Sequence, residues 1–210
     1  MFIDYIALML INTVAALAVS AGFFWRGINS PNPKPWAAAL AMPGLVSLVT
    51  GLCMVTTWPV GRPWLEGQQG MTKLAFANDA FGEPSVLLGI ALLGAALCVA
   101  RGWSLTPMSI YAALAGLAAI TVGAAVAYWS YYAPPDSATA PPHPAVTAMP
   151  PLTTAGFVLA GLGAVLVPAA VSVKLRPVRY LTAILFAASA LVWAATGYPA
   201  IWAHLGMWSK

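Results

Sequence analysis

The sequence NDAFGEP, residues 78–84, marks the point where a polar loop gives way to an apolar run. It holds Asp79 and Glu83, two of the five acidic residues in a chain of 210. The chain is 61% hydrophobic and 7% charged, and soluble domains carry about 25% charged residues. The composition therefore predicts a membrane protein with several spans. An ionisable residue inside a span is a functional candidate because burying a charge in lipid is costly, but Asp79 and Glu83 lie at a span end, where this argument has less weight.

Six apolar runs are long enough to cross a bilayer as helices, which takes about 20 residues each. We therefore predict an all-α fold, a polytopic six-transmembrane-helix bundle that forms one integral membrane domain over residues 1–210. Only a few residues separate the third run from the fourth, which predicts a tight helical hairpin. The six runs cover approximately 5–25, 36–58, 84–100, 106–132, 152–173 and 178–202.

Proline and mixed polarity shape the expected connections. Pro84 is expected in the first turn of the third helix, where no amide donor is needed. Gly197 and Pro199 are expected to bend the end of the sixth span. The loop before Pro84, residues 59–83, mixes aromatic and polar side chains and predicts a short interfacial segment. Residues 133–151 are rich in proline and favour an extended chain.

Lys and Arg residues in the loops predict the orientation, because they concentrate on the cytoplasmic side. Six of them share one side and three share the other, so both termini are expected on the outer face of a cell (inner) membrane. No basic patch suggests a nucleic-acid partner. The six are Arg26, Lys34, Arg101, Lys174, Arg176 and Arg179, and the three are Arg62, Lys73 and Lys210.

Small residues recur within the runs and predict close helix packing, hence a compact bundle and not a wide water-filled pore. Cys53 and Cys98 lie within apolar runs and are expected to act as small hydrophobic side chains. Trp193 lies about halfway along the sixth run, where packing is the expected role.

The opening MFIDYIALMLIN, residues 1–12, together with residues 78–84 before a Leu-Leu-Gly helix, resembles the domain of unknown function family 981. This family consists of small bacterial and archaeal membrane proteins, and the resemblance covers nearly the whole chain. It implies an integral membrane protein with several spans. It supplies no activity and no catalytic residues.

All five acidic residues and both histidines fall on the predicted outer side. If the outer ends of spans one, three and six converge, Asp4, Glu83 and His204 would meet near the membrane surface, with Asp79 and His143 as further candidates. Carboxylates with imidazoles suit a transition metal ion such as copper, zinc or iron. They also suit proton exchange, since His titrates near neutrality.

Each of these residues also has a structural interpretation. Asp79 and Glu83 suit the N-terminus of a helix, where acidic side chains are favoured, and Asp4 suits the cap of span one. The histidines suit loop or interfacial positions. Asn12 and Asn78 are the remaining polar candidates, and Asn12 favours a hydrogen bond between helices over contact with a ligand.

Three functions remain open from the sequence, and whether the protein is an enzyme is not determined. The first is an outer-face site for a metal ion or small polar ligand, in a redox or metal-handling role. The second is a structural or accessory subunit of a larger membrane complex, or a homo-oligomer in the bilayer. The third is a transporter of small solutes or protons, for which the spans supply few polar residues.

Overall fold

A computed structural model describes residues 5–57, 59, 76–131, 150–172 and 176–207. Within these ranges the fold is all-helical. A 3₁₀ turn at Gly27–Asn29 follows the first helix. The α-helices are α1 Tyr5–Trp25, α2 Pro35–Thr57, α3 Phe76–Arg101, α4 Thr106–Tyr131, α5 Pro150–Val165, α6 Val167–Ser172 and α7 Arg176–Met207.

Six helical stretches are long and apolar enough to cross a bilayer, which confirms the predicted six-span fold. The protein is therefore a multi-pass membrane protein whose helices contact lipid. The fifth stretch combines α5 and α6. These helices are separated by a turn at Leu166, two residues before Pro168, whose missing amide hydrogen interrupts the helical ladder.

Pro84 does not lie in the first turn of the third helix, as the sequence suggested. Helix α3 begins at Phe76, two turns before Pro84. Helix α7 includes Pro199 and continues to Met207, and the predicted bend there stays a prediction. Membrane helices tolerate interior proline because neighbouring groups can satisfy the freed carbonyl. Most of the predicted interfacial segment and of the proline-rich loop lies outside the described residues.

The hairpin between α3 and α4 closes through a Schellman motif. The Trp103 amide donates to the Cys98 carbonyl at 2.8 Å, and the Gly102 amide donates to the Val99 carbonyl at 3.4 Å. Gly102 has a φ of 69°, in the left-handed region that glycine adopts at little cost. This motif turns the chain within a few residues, as the sequence predicted.

The helices follow one another around a ring in chain order. Helix α1 packs against α2 and α7, and α2 packs against α3. Helix α4 lies between α3 and α5, and α5 packs against α7, which closes the ring. Chain direction gives the ring two ends. We call the end of Asp79 and Glu83 the acidic end, and the end of Arg26, Lys34, Arg101 and Arg179 the basic end.

Arg179 ties three parts of the basic end together. Its Nε donates to the Ala170 carbonyl in α6 at 3.0 Å, and its guanidinium also donates to the Asn29 side chain. Asn29 lies in the connection between α1 and α2. A cation here also suits the C-terminal end of α6, where helix carbonyls lack helical donors.

Candidate functional site

The structure describes three of the polar residues predicted at the acidic end, all in the first turns of α3. Asn78 is fully buried, Asp79 is half-buried and Glu83 is exposed. The early start of α3 puts Asp79 in the first helical turn, where a carboxylate is favoured by the helix dipole. Glu83 lies one turn further and presents its side chain to the surroundings of the bundle.

The predicted convergence of acids and histidines remains a prediction. Asp4 and His143 lie outside the described residues, and His204 is described only as a backbone position near the end of α7. No group of three His, Cys, Asp or Glu side chains is close enough to hold a metal within the ranges that the structure describes.

Asn12 forms the hydrogen bonds between helices that the sequence favoured. Its amide nitrogen donates to the Pro43 carbonyl at 3.0 Å and to the Ser47 hydroxyl at 2.8 Å. Ser47 is almost fully buried. The pair therefore fastens α1 to α2 within the membrane, where water could not satisfy either side chain.

A central cavity of about 160 Å³ lies between the helices of the ring. Along α3 its lining runs from Phe81 to Ala95, and along α4 from Leu105 to Ala119. At a rise of about 1.5 Å per residue, each stretch is about 21 Å long. This is about two-thirds of the roughly 30 Å hydrocarbon thickness of a bilayer.

The cavity wall is apolar along its length. None of the described residues that line it is charged, and four carry a hydroxyl group: Thr13, Ser20, Ser85 and Ser109. The hydroxyls of Thr13, Ser20 and Ser109 donate to backbone carbonyls of Met9, Ala16 and Thr106 at 2.8, 2.8 and 2.6 Å. Those three hydroxyl hydrogens are thus already used within the wall.

Aromatic rings lie at both ends of the cavity. Toward the acidic end, the Phe157 ring lies 5.0 Å from the Trp193 ring and 5.8 Å from the Phe81 ring, measured between centroids. Toward the basic end, the Phe24 ring lies 5.7 Å from Phe23 and 6.0 Å from Phe186. The rings at the acidic end come from α3, α5 and α7, and those at the basic end come from α1 and α7.

Trp193 has the packing role that the sequence predicted, and it also lines the cavity. Its side chain is 3% exposed. A Cβ atom at Gly156 would lie 2.6 Å from the indole, so glycine is what allows the ring to pack this closely against α5. The neighbouring Ser189 hydroxyl donates to the Gly156 carbonyl at 2.8 Å.

Small residues that were not predicted as functional from the sequence form the middle of the cavity wall. These are alanines spaced three or four residues apart, which is one face of a helix. The repeat is visible in the sequence, but alanine is common throughout the spans and the pattern alone cannot distinguish a cavity wall from a packed interface. They are Ala91 and Ala95 in α3, Ala112, Ala115 and Ala119 in α4, and Ala160 and Ala164 in α5.

Comparison with known proteins places the chain in a family. The model of the family described as "Protein of unknown function (DUF981)" matches residues 1–207. No curated protein and no solved structure matches the chain. Since the match covers nearly the whole chain, the protein belongs to this family, as the resemblance of its two motifs implied.

Proposed function

We propose that this member of a family of unknown function binds a hydrophobic chain molecule from the bilayer in its central cavity. The observation that supports this proposal is the cavity itself, which is long and apolar and has aromatic rings at both ends. The occupant has the chemistry shared by lipid acyl chains and isoprenoid tails, which is a flexible hydrocarbon chain without charge.

The cavity volume supports an occupant. An engineered apolar cavity of about 150 Å³ stays dry and binds benzene, and this one is of similar volume but extended along the bundle. A hydrocarbon chain in the cavity would be stabilised by dispersion contacts with the wall.

The lining also argues against polar cargo. An ion or a polar solute would lose its hydration and meet hydroxyl groups whose hydrogens are largely committed to the backbone. It would also have to pass the aromatic rings at each end. Transport of ions therefore receives no support from the described part of the bundle.

The test is mass spectrometry of extracted lipids from protein purified in mild detergent, followed by labelling with a photoactivatable diazirine fatty acid in vesicles. We expect a co-purified chain molecule and adducts on lining residues such as Ala112. The Ala112→Phe variant should lose both, because the ring fills the cavity. Ala124→Phe is the matched control, since Ala124 lies on the exposed face of the same helix.

Mass spectrometry of the extracted molecules distinguishes the two possible ligands, which are a membrane lipid and an isoprenoid. Labelling that is equal in wild type and Ala112→Phe, with adducts only on exposed residues, would show that the fatty acid contacts the protein surface alone. That result would overturn the proposed function.

A metal site at the acidic end is the second proposal. It would use Asp79 and Glu83 of α3 with Asp4, His143 and His204, and would hold copper, zinc or iron. The favouring observation is that Asp79 and Glu83 lie one helical turn apart at the same end of the bundle. Elemental analysis of protein from metal-replete cells should give about one ion per chain, lost in Glu83→Ala, and a metal-free protein would contradict the proposal.

For orientation, we propose that the basic end faces the cytoplasm of a cell membrane and that both termini face outward. Cysteine labelling with a membrane-impermeant maleimide tests this in a variant without Cys53 and Cys98. A Ser30→Cys residue beside the basic end should be protected in intact cells. A role as an accessory subunit is tested separately by co-purification from mild detergent.

A further inference from the structure

We infer that the seam between α3 and α4 is the lateral portal through which a hydrophobic chain passes from the bilayer into the cavity. The inference rests on the proposed function, because it assumes that the cavity is the binding site. It adds the route and the part of the ring that opens.

The first observation is how the other seams are closed. Glycines bring α2 and α3 into backbone contact, and α4 and α5 likewise. Hydrogen bonds from Asn12 fasten α1 to α2, and the Ser189 hydroxyl fastens α7 to α5. Helices α1 and α7 pack along much of their length. Among neighbours in the described ring, α3 and α4 have the least close contact.

The second observation is where α3 and α4 do meet. A Cβ atom at Gly94 would lie 2.4 Å from the Met108 methyl carbon and 2.7 Å from its sulfur. This contact lies two turns from the Gly102 hairpin, near the basic end. It identifies the face of α3 that carries Gly94 and the face of α4 that carries Met108 as the faces turned toward each other.

The third observation concerns the same two faces nearer the acidic end. Leu87 lies two turns from Gly94, and Ala115 lies two turns from Met108, so both continue the facing sides of the hairpin. Beside this seam the lining residues Ala91, Ala112 and Ala115 are half-buried. Ser85, Leu92 and Gly116 of the same two helices are buried. Across the cavity, the lining residues Leu10, Leu17 and Trp193 of α1 and α7 are buried.

These observations locate the opening. The small side chains of Ala91, Ala112 and Ala115 leave space beside the cavity. One contact across this seam is made by Met108, whose side chain is flexible and adaptable. A chain molecule dissolved in the bilayer would then reach the cavity between α3 and α4 without crossing either aromatic end.

The test tethers the seam with a reducible bis-maleimide in a Leu87→Cys/Ala115→Cys variant that also carries Cys53→Ala and Cys98→Ala. Loading of the diazirine fatty acid from vesicles is followed by photolysis at successive times and mass spectrometry of the lining residues. The matched control carries Leu87→Cys alone in the same background, so that the reagent attaches to α3 without joining it to α4.

We expect the α3–α4 tether to slow loading by at least about tenfold, since lateral opening would then limit the rate, and reduction to restore it. Protein that is loaded first and tethered afterwards should retain the fatty acid. The single-cysteine control should load at the rate of untreated protein. As a second variant, Met108→Ala should load faster than wild type, because it removes the Met108 contact with Gly94 across the seam.

Two outcomes are distinguishable failures. Equal loading rates in tethered and reduced protein, with adducts on the cavity wall, would overturn the portal and leave the binding function intact. Absence of cavity adducts in every state, including untethered wild type, would overturn the proposed function and the portal together.

Discussion

Small residues on α3 face α2 on one side of the helix and α4 on the other. The α2–α3 seam and the α3–α4 seam differ in how closely the helices pack. Toward α2, a Cβ atom at Gly89 would lie 2.6 Å from the Leu48 amide nitrogen, so the backbones themselves are in contact. Toward α4, Ala91 and Ala95 line a cavity. Glycine thus permits direct backbone packing, and alanine, with one carbon more, forms the smooth wall of an open space.

The largest effect is expected from a substitution that disrupts the tight seam between α2 and α3. Gly89→Val should lower the free energy of unfolding by about 3 kcal/mol, because its neighbours are backbone atoms of Leu48 and Gly44 that cannot rotate away. Denaturant unfolding in mixed micelles measures it. A loss below about 1 kcal/mol would show that α2 and α3 can separate, and that the two faces of α3 differ less than proposed.

The next effect concerns a seam fastened by polar groups. Asn12→Leu should lower the free energy of unfolding by about 1.5 kcal/mol, near the upper range for hydrogen bonds between membrane helices, because Ser47 is buried and loses a donor. Thr121→Val is the control, since this exposed hydroxyl bonds only its own helix. Equal effects of the two variants would contradict a special role for Asn12.

A substitution in the hairpin between α3 and α4 should change the free energy of unfolding by less. Gly102→Ala should cost about 1 kcal/mol of unfolding free energy, because φ is 69° there and a β-carbon is disfavoured in that region. Space does not limit the substitution, since no atom lies near the added carbon. Gly102→Asn should cost less than Gly102→Ala, because Asn tolerates this conformation better, and the reverse order would contradict the conformational explanation.

The smallest expected effect is on the cavity face. Ala91→Val should change the free energy of unfolding by no more than about 0.5 kcal/mol, because its added methyl groups enter open space. It should nevertheless reduce labelling by the diazirine fatty acid. A loss of stability comparable to that of Gly89→Val would mean that the α3–α4 seam is packed as tightly as the α2–α3 seam.

Several features could be predicted from the sequence with local rules. The six spans follow from run length and hydropathy, since a bilayer accepts only helices or closed barrels. The hairpin follows from the few residues between Arg101 and Leu105. The role of Asn12 follows from the lack of water in the membrane, which makes another helix the natural partner for a buried amide.

The candidate site was harder to predict from the sequence. The sequence pointed to the acidic residues and histidines. Of these, the structure describes Asp79 and Glu83 with their side chains, and both lie at the start of α3. The cavity is made of alanine, leucine and aromatic side chains, which are ordinary constituents of any span. Their role depends on the neighbour that each one faces.

The sequence by itself determined the number of spans, the tight hairpin and the difference in charge between the acidic and basic ends. These features depend on the composition of contiguous segments. Only the tertiary structure decided the order of helices around the ring, the start of α3 at Phe76 and the presence of a central cavity. The physical reason is that Gly89 and Ala91 are both small residues on one helix, and whether such a residue meets a backbone or an open space depends on the helix beside it.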